Sequence, residues 1–312
     1  MDWYRITLRP ASPSATAWQA DTIFGHLCWA LAYTEGPDFL ETFLGLYQLG
    51  DPPLLVSNGF PGDLLPRPLV RSLRKAQTGD YHSDRQAFRE RKRLRKAAWL
   101  SFDAFQKARR GQPYEPEPDD PFDDLVTMHN QINRLTGTTG DEGNLYPLEA
   151  TTLSEVADGR ITVYALADPG FVTSLKRCLR YLEATGYGKR KSAGMGAIRE
   201  ITLDRFDGFE PVEEANGFLS LSNFVPAADD PVDGVWNTLV KRGKLGEELA
   251  VSGKPFKRPL VMLVAGSCFR HWPLRRYYGR LVPNVHAHFP FVVQYGLALP
   301  ISIRLPGSEV TQ

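Results

Sequence analysis

The chain has 312 residues, 42% of them hydrophobic, with 37 Lys and Arg against 36 Asp and Glu and a net charge of +1. That length supplies a substantial core and favours two domains over one, and no run approaches the ~18 apolar residues of a helical membrane span. The near-zero net charge argues against a uniformly basic nucleic-acid binder, so any basic surface has to be local.

In chain order, "WYRITLR" alternates, with Tyr4, Ile6 and Leu8 on one side and Arg5, Thr7 and Arg9 on the other, which predicts a half-buried strand. After a Ser/Pro turn, Asp21 is placed to cap a helix to about Tyr33, with Ile23, Phe24, Leu27, Cys28 and Leu31 as its apolar stripe. "PPLLVSN" reads as a buried strand. Much later, "RITVYALA" predicts a strand, "PGFVTSLKRCLRYLEATG" a helix begun by Pro169 and stopped by Gly186, and "AIREITL" a closing strand.

The order β-α-β, long excursion, β-α-β predicts an α+β fold of the ferredoxin-like kind over residues 1–210, with an insertion at about 58–159 between the second and third strands. Residues 211–312 repeat it loosely, as a degenerate second ferredoxin-like domain. There "FLSLSNF", "PLVMLVAGS" and "FPFVVQYGLALPISIRL" read as strands and "GVWNTLVKRGK" as a short helix.

Charge is segregated. From Arg67 to Arg110, fourteen bases face four acids, while the following "EPEPDDPFDD" has six acids and no base. This basic arm, with Arg91, Lys92, Arg93, Arg95 and Lys96, suits RNA, an acidic neighbour or plain solvation. Cys28, Cys178 and Cys268 are odd in number, far apart and set in apolar sequence, as buried reduced thiols are. The opening "MDWYRITLRP" lacks the pattern of a secretion signal, so a cytoplasmic protein is expected.

One stretch poses a chemical question. "GYGKRKSAGMG", residues 186–196, holds four glycines and three consecutive cations between the second helix and the fourth strand of the first unit. Glycine permits positive φ and close backbone approach, and exposed amides beside cations suit a row of phosphates. A flexible turn with solvated cations is the plainer alternative. A Walker A loop and a Rossmann fingerprint both require a loop entering a helix, and this one leaves one.

A split β-α-β unit with a Gly-rich basic loop before its last strand resembles the RAMP superfamily of CRISPR proteins. "SPSATAWQADTIFGHLCWAL" (12–31), "GFPGDLLPRPL" (59–69), "HNQINRLTGTTGDEGNLYPLE" (129–149) and "VVQYGLALPI" resemble one branch, the Cas5-like fourth subunit of the Csm (type III-A) effector complex. The resemblance implies a non-catalytic, RRM-like subunit that binds the repeat-derived 5′ tag of the guide RNA (crRNA) and caps that end of the ribonucleoprotein. It also implies docking to the large polymerase-like subunit and the backbone RAMP subunit, with no cofactor, metal or membrane.

On that basis Gly188, Lys189, Arg190, Lys191, Ser192, Gly194 and Gly196 are expected to contact phosphates, with Tyr187 as a stacking platform or a core plug. Trp18 and Gln19 would meet a base near the first helix, or form a packing corner. His129, Asn130, Asn133 and Arg134 would lie on a projecting hairpin able to wedge between nucleotides, or on an ordinary exposed one. Processing endoribonucleases of the superfamily place a general-base histidine near this helix, so His26 is the runner-up catalytic residue, against a hydrogen-bonded structural histidine. His286 and His288 alternate in "NVHAHFP", a weak metal signal without further ligands. A tag-binding subunit, an endoribonuclease and a pure assembly scaffold are thus the three functional readings.

Overall fold

The computed structural model describes residues 1–70, 97–117, 119–130, 132, 134–139 and 145–307. Strand β1 (Asp2–Pro10) is followed by helices α1 (Ala20–Thr34) and α2 (Pro37–Gln48) and strand β2 (Leu54–Pro61). The excursion carries β3 (Leu65–Pro66), β4 (Trp99–Leu100), α3 (Phe102–Arg109), β5 (Phe122–Asn130) and β6 (Leu145–Leu153). Strand β7 (Ile161–Ala167), helix α4 (Val172–Thr185) and strand β8 (Ile198–Arg205) complete the first lobe.

Four of these strands form an antiparallel sheet in the order β2-β7-β1-β8, with α1 and α4 packed against each other. The alternation of β1 does what its spacing dictates: Tyr4, Ile6 and Leu8 are buried, 6%, 1% and 3% exposed. In α4, Leu175, Cys178, Leu179 and Leu182 recur at helical spacing and are all buried, and Gly186 ends the helix at φ 79°. Truncating such a core leucine to alanine costs about 2–5 kcal/mol. Residues 37–48, unassigned above, form α2, begun at Pro37.

Asp21 does not cap α1. The N-cap is Gln19, without a side-chain hydrogen bond, and the Asp21 carboxylate is 2.9 Å from Lys241 Nζ of the second lobe.

The second lobe contains β9 (Gly217–Ser220), β10 (Gly234–Val235), β11 (Thr238–Lys241), β12 (Leu260–Leu263), β13 (Cys268–Arg270), β14 (Tyr278–Gly279), β15 (Leu297–Ala298) and β16 (Pro300–Ile303). Its main sheet runs β10-β13-β9-β16, antiparallel throughout. In order of appearance that is second, third, first, fourth, the same order as the first sheet. The helix expected over "GVWNTLVKRGK" is instead β10 and β11, and among the described residues 211–307 hold no α-helix. The i, i+4 spacing of Val235 and Leu239 misleads there. The β-branched Val235, Thr238 and Val240 fit a pleated surface, with β11 pairing β12 from Thr238↔Leu263 to Lys241↔Leu260.

One apolar cluster runs from β1 and α1 through α4 to Leu219, Leu299, Ile301 and Ile303, so the lobes share a core. The described end of the basic arm belongs to it. Arg109 is 1% exposed and donates to Ser302 O at 3.0 Å and Glu210 O at 2.8 Å, which makes it an internal strut rather than an RNA contact. Burial lowers its pKa to about 10. Arg91, Lys92, Arg93, Arg95 and Lys96 lie outside the described residues. Cys28 is half-buried, and Cys178 and Cys268 are buried; all three are free thiols. No helix among the described residues is long and apolar enough to cross a membrane.

Candidate nucleic-acid interface

The loop between α4 and β8 is built by left-handed backbone. Gly186, Gly188, Gly194 and Gly196 have φ of 79°, 78°, 82° and 66°, and Arg190 joins them at 62°. What passes close to this backbone is largely the chain itself. A Cβ on Gly196 would lie 1.9 Å from the Tyr187 carbonyl oxygen, and one on Gly188 2.7 Å from Thr16. The Tyr187 N–H donates to Gly196 O at 2.8 Å, closing the loop at its base, and the Gly196 N–H donates to Pro13 O at 2.8 Å.

The remaining amides can be accounted for in turn. The Gly188 N–H donates to His26 Nε2 at 2.9 Å and the Lys189 N–H to Thr16 Oγ1 at 3.0 Å. Ala193, Gly194 and Met195 donate back to the carbonyls of Arg190 and Lys191. Among the described residues, the N–H groups of Arg190, Lys191 and Ser192 donate to no protein acceptor, so the candidate cradle narrows to three successive amides. Lys189, Arg190, Ser192 and Gly194 are exposed around them.

The third cation is engaged elsewhere. Lys191 Nζ lies 2.7 Å from Glu247 Oε1 of the second lobe, with both side chains about three-quarters covered, so in this conformation its charge is compensated.

Two expected base-stacking rings point inward. Trp18 and Tyr187 are 6% and 0% exposed and stack on each other at 3.9 Å and 9°. The Tyr187 hydroxyl donates to Ala17 O at 2.7 Å, and burial pushes its pKa up. The stacking roles are therefore corrected: these rings are part of the core beneath the loop. Gln19 is half-buried and its Oε1 accepts from Lys241 Nζ at 2.5 Å, so its side chain also faces the second lobe.

His26 is held as the structural alternative required. Its Nε2 accepts the Gly188 N–H, its ring lies 5.1 Å from Tyr187, and desolvation, with Lys191 beside it, lowers its pKa to about 3. A neutral imidazole whose acceptor nitrogen is already used is poorly placed to take a proton from a 2′-hydroxyl. His286 and His288 lie outside any strand. His286 Nε2 donates to Lys254 O at 2.8 Å and its Nδ1 accepts the backbone N–H of His288 at 3.1 Å, which leaves no lone pair for a metal.

The projecting segment is an antiparallel hairpin, β5 on β6, paired from Phe122↔Leu153 to Asn130↔Leu145. His129 is half-buried on its stem, Asn130 and Arg134 are exposed at its end, and Asn133 lies outside the described residues. One outer face is apolar, with Val126, Met128 and Leu145 each at least 60% exposed. The structure brings hairpin and loop together through a residue that sequence reasoning missed. The Arg190 guanidinium lies 5.4 Å from the ring centroid of Tyr146, which stacks on its cross-strand partner His129 at 5.9 Å and 23°. Only its alternation within "NLYPLE" singles Tyr146 out in the sequence, and that says nothing about Arg190.

Beside this junction, Pro10–Ser14, Trp18, Phe122 and Thr151–Leu153 line an open cleft of about 300 Å³. Loop and hairpin offer three uncommitted amides, two exposed cations and the half-buried Tyr146 ring, groups of the kind that pin an unpaired nucleic-acid strand.

No protein-family profile matches the chain. It is 26% identical over 310 residues to a protein of Thermococcus onnurineus described as "CRISPR system Cms protein Csm4", covering 96% of each chain. Among solved structures it resembles a chain of a Csm1-Csm4 cassette in complex with AMPPNP, with a TM-score of 0.66 at 18% identity over 98% of this chain and 100% of that one. The same cassette in complex with pppApA gives 0.64 at 20% identity, over 98% and 99%. A chain of a Csm3-Csm4 subcomplex in the type III-A CRISPR-Cas interference complex gives 0.59 at 14% identity, over 96% and 99%.

Proposed function

We propose that this chain is a Csm4-like protein, a non-catalytic subunit of a type III-A CRISPR ribonucleoprotein, acting in antiviral defence in the cytoplasm. It binds the single-stranded 5′ tag of the guide RNA and docks a polymerase-like Csm1 subunit on one side and a backbone Csm3 subunit on the other. The assembly named for its relatives, a Csm1-Csm4 cassette and a Csm3-Csm4 subcomplex, supports those partners. We also read residues 1–210 and 211–312 as two ferredoxin-like units, the second stripped of its helices, because both main sheets share one strand order.

The observation that carries the RNA reading is the run of three unengaged amides at Arg190, Lys191 and Ser192, rimmed by the exposed Lys189 and by Arg190, whose side chain reaches the hairpin. Amides and cations together hold phosphates without reading sequence, which suits a subunit that grips one end of a strand. On the hairpin, Asn130 and Arg134 are placed to wedge between tag and guide nucleotides. Catalysis has little support, since His26 spends its acceptor nitrogen on the loop.

The test is crosslinking and affinity for tag RNA in the assembled complex, with Lys189, Arg190 and Lys191 changed together to alanine. Loss of two or three phosphate contacts lowers affinity at least about tenfold at moderate salt and flattens the salt dependence. Unchanged crosslinking overturns the loop assignment. Specific cleavage of repeat RNA by the isolated chain, abolished in His26→Ala, favours the endoribonuclease reading instead.

A further inference from the structure

We propose that Tyr146 is a positioning residue for Arg190, holding the guanidinium across the seam between loop and hairpin so that it grips a phosphodiester of single-stranded RNA seated on the amides of residues 190–192; this rests on the loop being an RNA site. Arg190 is one of five non-glycine residues with positive φ among the described residues. An L-residue occupies that region at a cost of about 1–2 kcal/mol, so such a conformation persists where its surroundings impose it. Here the left-handed backbone opens the turn that exposes the three amides, while the side chain of the same residue reaches the hairpin.

The aromatic end of this contact is itself fixed. Tyr146 is half-buried and stacks on His129 in the cross-strand pair, and His129 Nε2 lies 3.0 Å from Thr127 Oγ1 on the same strand face. A cation 5.4 Å from such a ring is attracted to it without a carboxylate taking up its N–H donors. The three cations of the loop are therefore unequal. Lys191 is paired with Glu247; among the described residues Lys189 has no aromatic or carboxylate partner, and Arg190 is held in place yet has no carboxylate partner. A guanidinium fixed beside three amides of its own turn matches a phosphodiester, with its two unesterified oxygens, better than a flexible ammonium does.

The experiment measures binding of a fluorescently labelled single-stranded repeat RNA to the full chain, as native protein and as Tyr146→Phe, Tyr146→Leu, Arg190→Ala and the Tyr146→Leu/Arg190→Ala double variant. Tyr146→Phe keeps the ring and binds as the native protein does, Tyr146→Leu weakens binding about 3-fold to 10-fold, and that weakening vanishes in the Arg190→Ala background. Arg190→Ala also lowers the slope of log affinity against log salt by about 0.7. A Tyr146→Leu effect that persists in the Arg190→Ala background assigns Tyr146 to hairpin structure alone and overturns the inference. So does native binding by Tyr146→Leu while the triple alanine variant of the loop binds poorly. If the triple variant also binds as the native chain does, the RNA reading of the loop itself has failed.

Discussion

A Cβ added at Gly186, Gly188 or Gly196 would lie 2.9, 2.7 or 1.9 Å from a neighbouring atom, whereas one added at Gly194 would meet nothing within 4 Å. All four have left-handed backbone, so their conformation does not distinguish them. The rim glycines let the loop close on itself and on Thr16. The middle glycine lets a short turn present amides outward. The same residue type thus builds a rigid base and an open crest, and a phosphate site needs both, since amides hold an anion only when their directions are fixed in advance.

Four substitutions break or sharpen this contrast. The largest effect belongs to Gly196→Ala. The new methyl collides with the Tyr187 carbonyl, which is backbone and cannot swing aside, so the base of the loop opens at a cost of at least about 3 kcal/mol. Thermal unfolding checks it, and an unchanged midpoint would show that the rim is not tight.

His26→Ala comes next. It leaves the Gly188 N–H without its acceptor and costs about 1–3 kcal/mol in denaturant unfolding. The pH dependence has a definite sign. The folded-state pKa, about 3, lies below the usual 6.5, so the native chain binds the proton less readily than the unfolded one. The contribution of His26 is fully present above pH 6.5 and falls as the pH drops from there toward 3. Stability curves of native protein and His26→Asn recorded over that range converge toward acid; parallel curves would contradict the neutral, half-buried imidazole.

Gly194→Ala should cost about 1 kcal/mol, from positive φ alone, and leave RNA binding within about twofold, because nothing crowds the new methyl. A cost as large as that of Gly196→Ala would erase the distinction between rim and crest.

The smallest effect is expected from Glu247→Gln, which frees the Lys191 ammonium for phosphate. RNA affinity rises about twofold to fivefold at low salt, and the salt slope steepens by about 0.7. Unchanged slope means that Lys191 serves only to tie the lobes together.

Strands and helices with a clean period were legible. The period-2 alternation of β1 and the Leu175, Cys178, Leu179, Leu182 stripe of α4 each encode a buried face within a few residues, and Gly186 marks its own stop. The short strands of the second lobe were harder, because two to four residues hold at most two strand periods and about one helical turn, too few to tell the two patterns apart, so 234–244 read as a helix. Within the site, the cations and glycines of the loop were visible as composition, while their division of labour was not. Trp18 and Tyr187 show why: an aromatic beside a basic loop looks the same whether it faces a base or a buried partner 169 residues away.

The sequence alone determined the α+β class, the place of the glycine loop between α4 and β8, the long excursion after β2 and the resemblance to Csm4-like subunits. These follow from local periodicity, turn chemistry and residue order, which need no knowledge of what lies across the molecule. The tertiary structure decided that Tyr187 plugs the core, that His26 caps an amide, that Glu247 pairs with Lys191 and that Tyr146 meets Arg190. Each of those depends on two chain segments far apart in sequence arriving at one point, and close packing of the whole chain, rather than any local pattern, fixes where they meet.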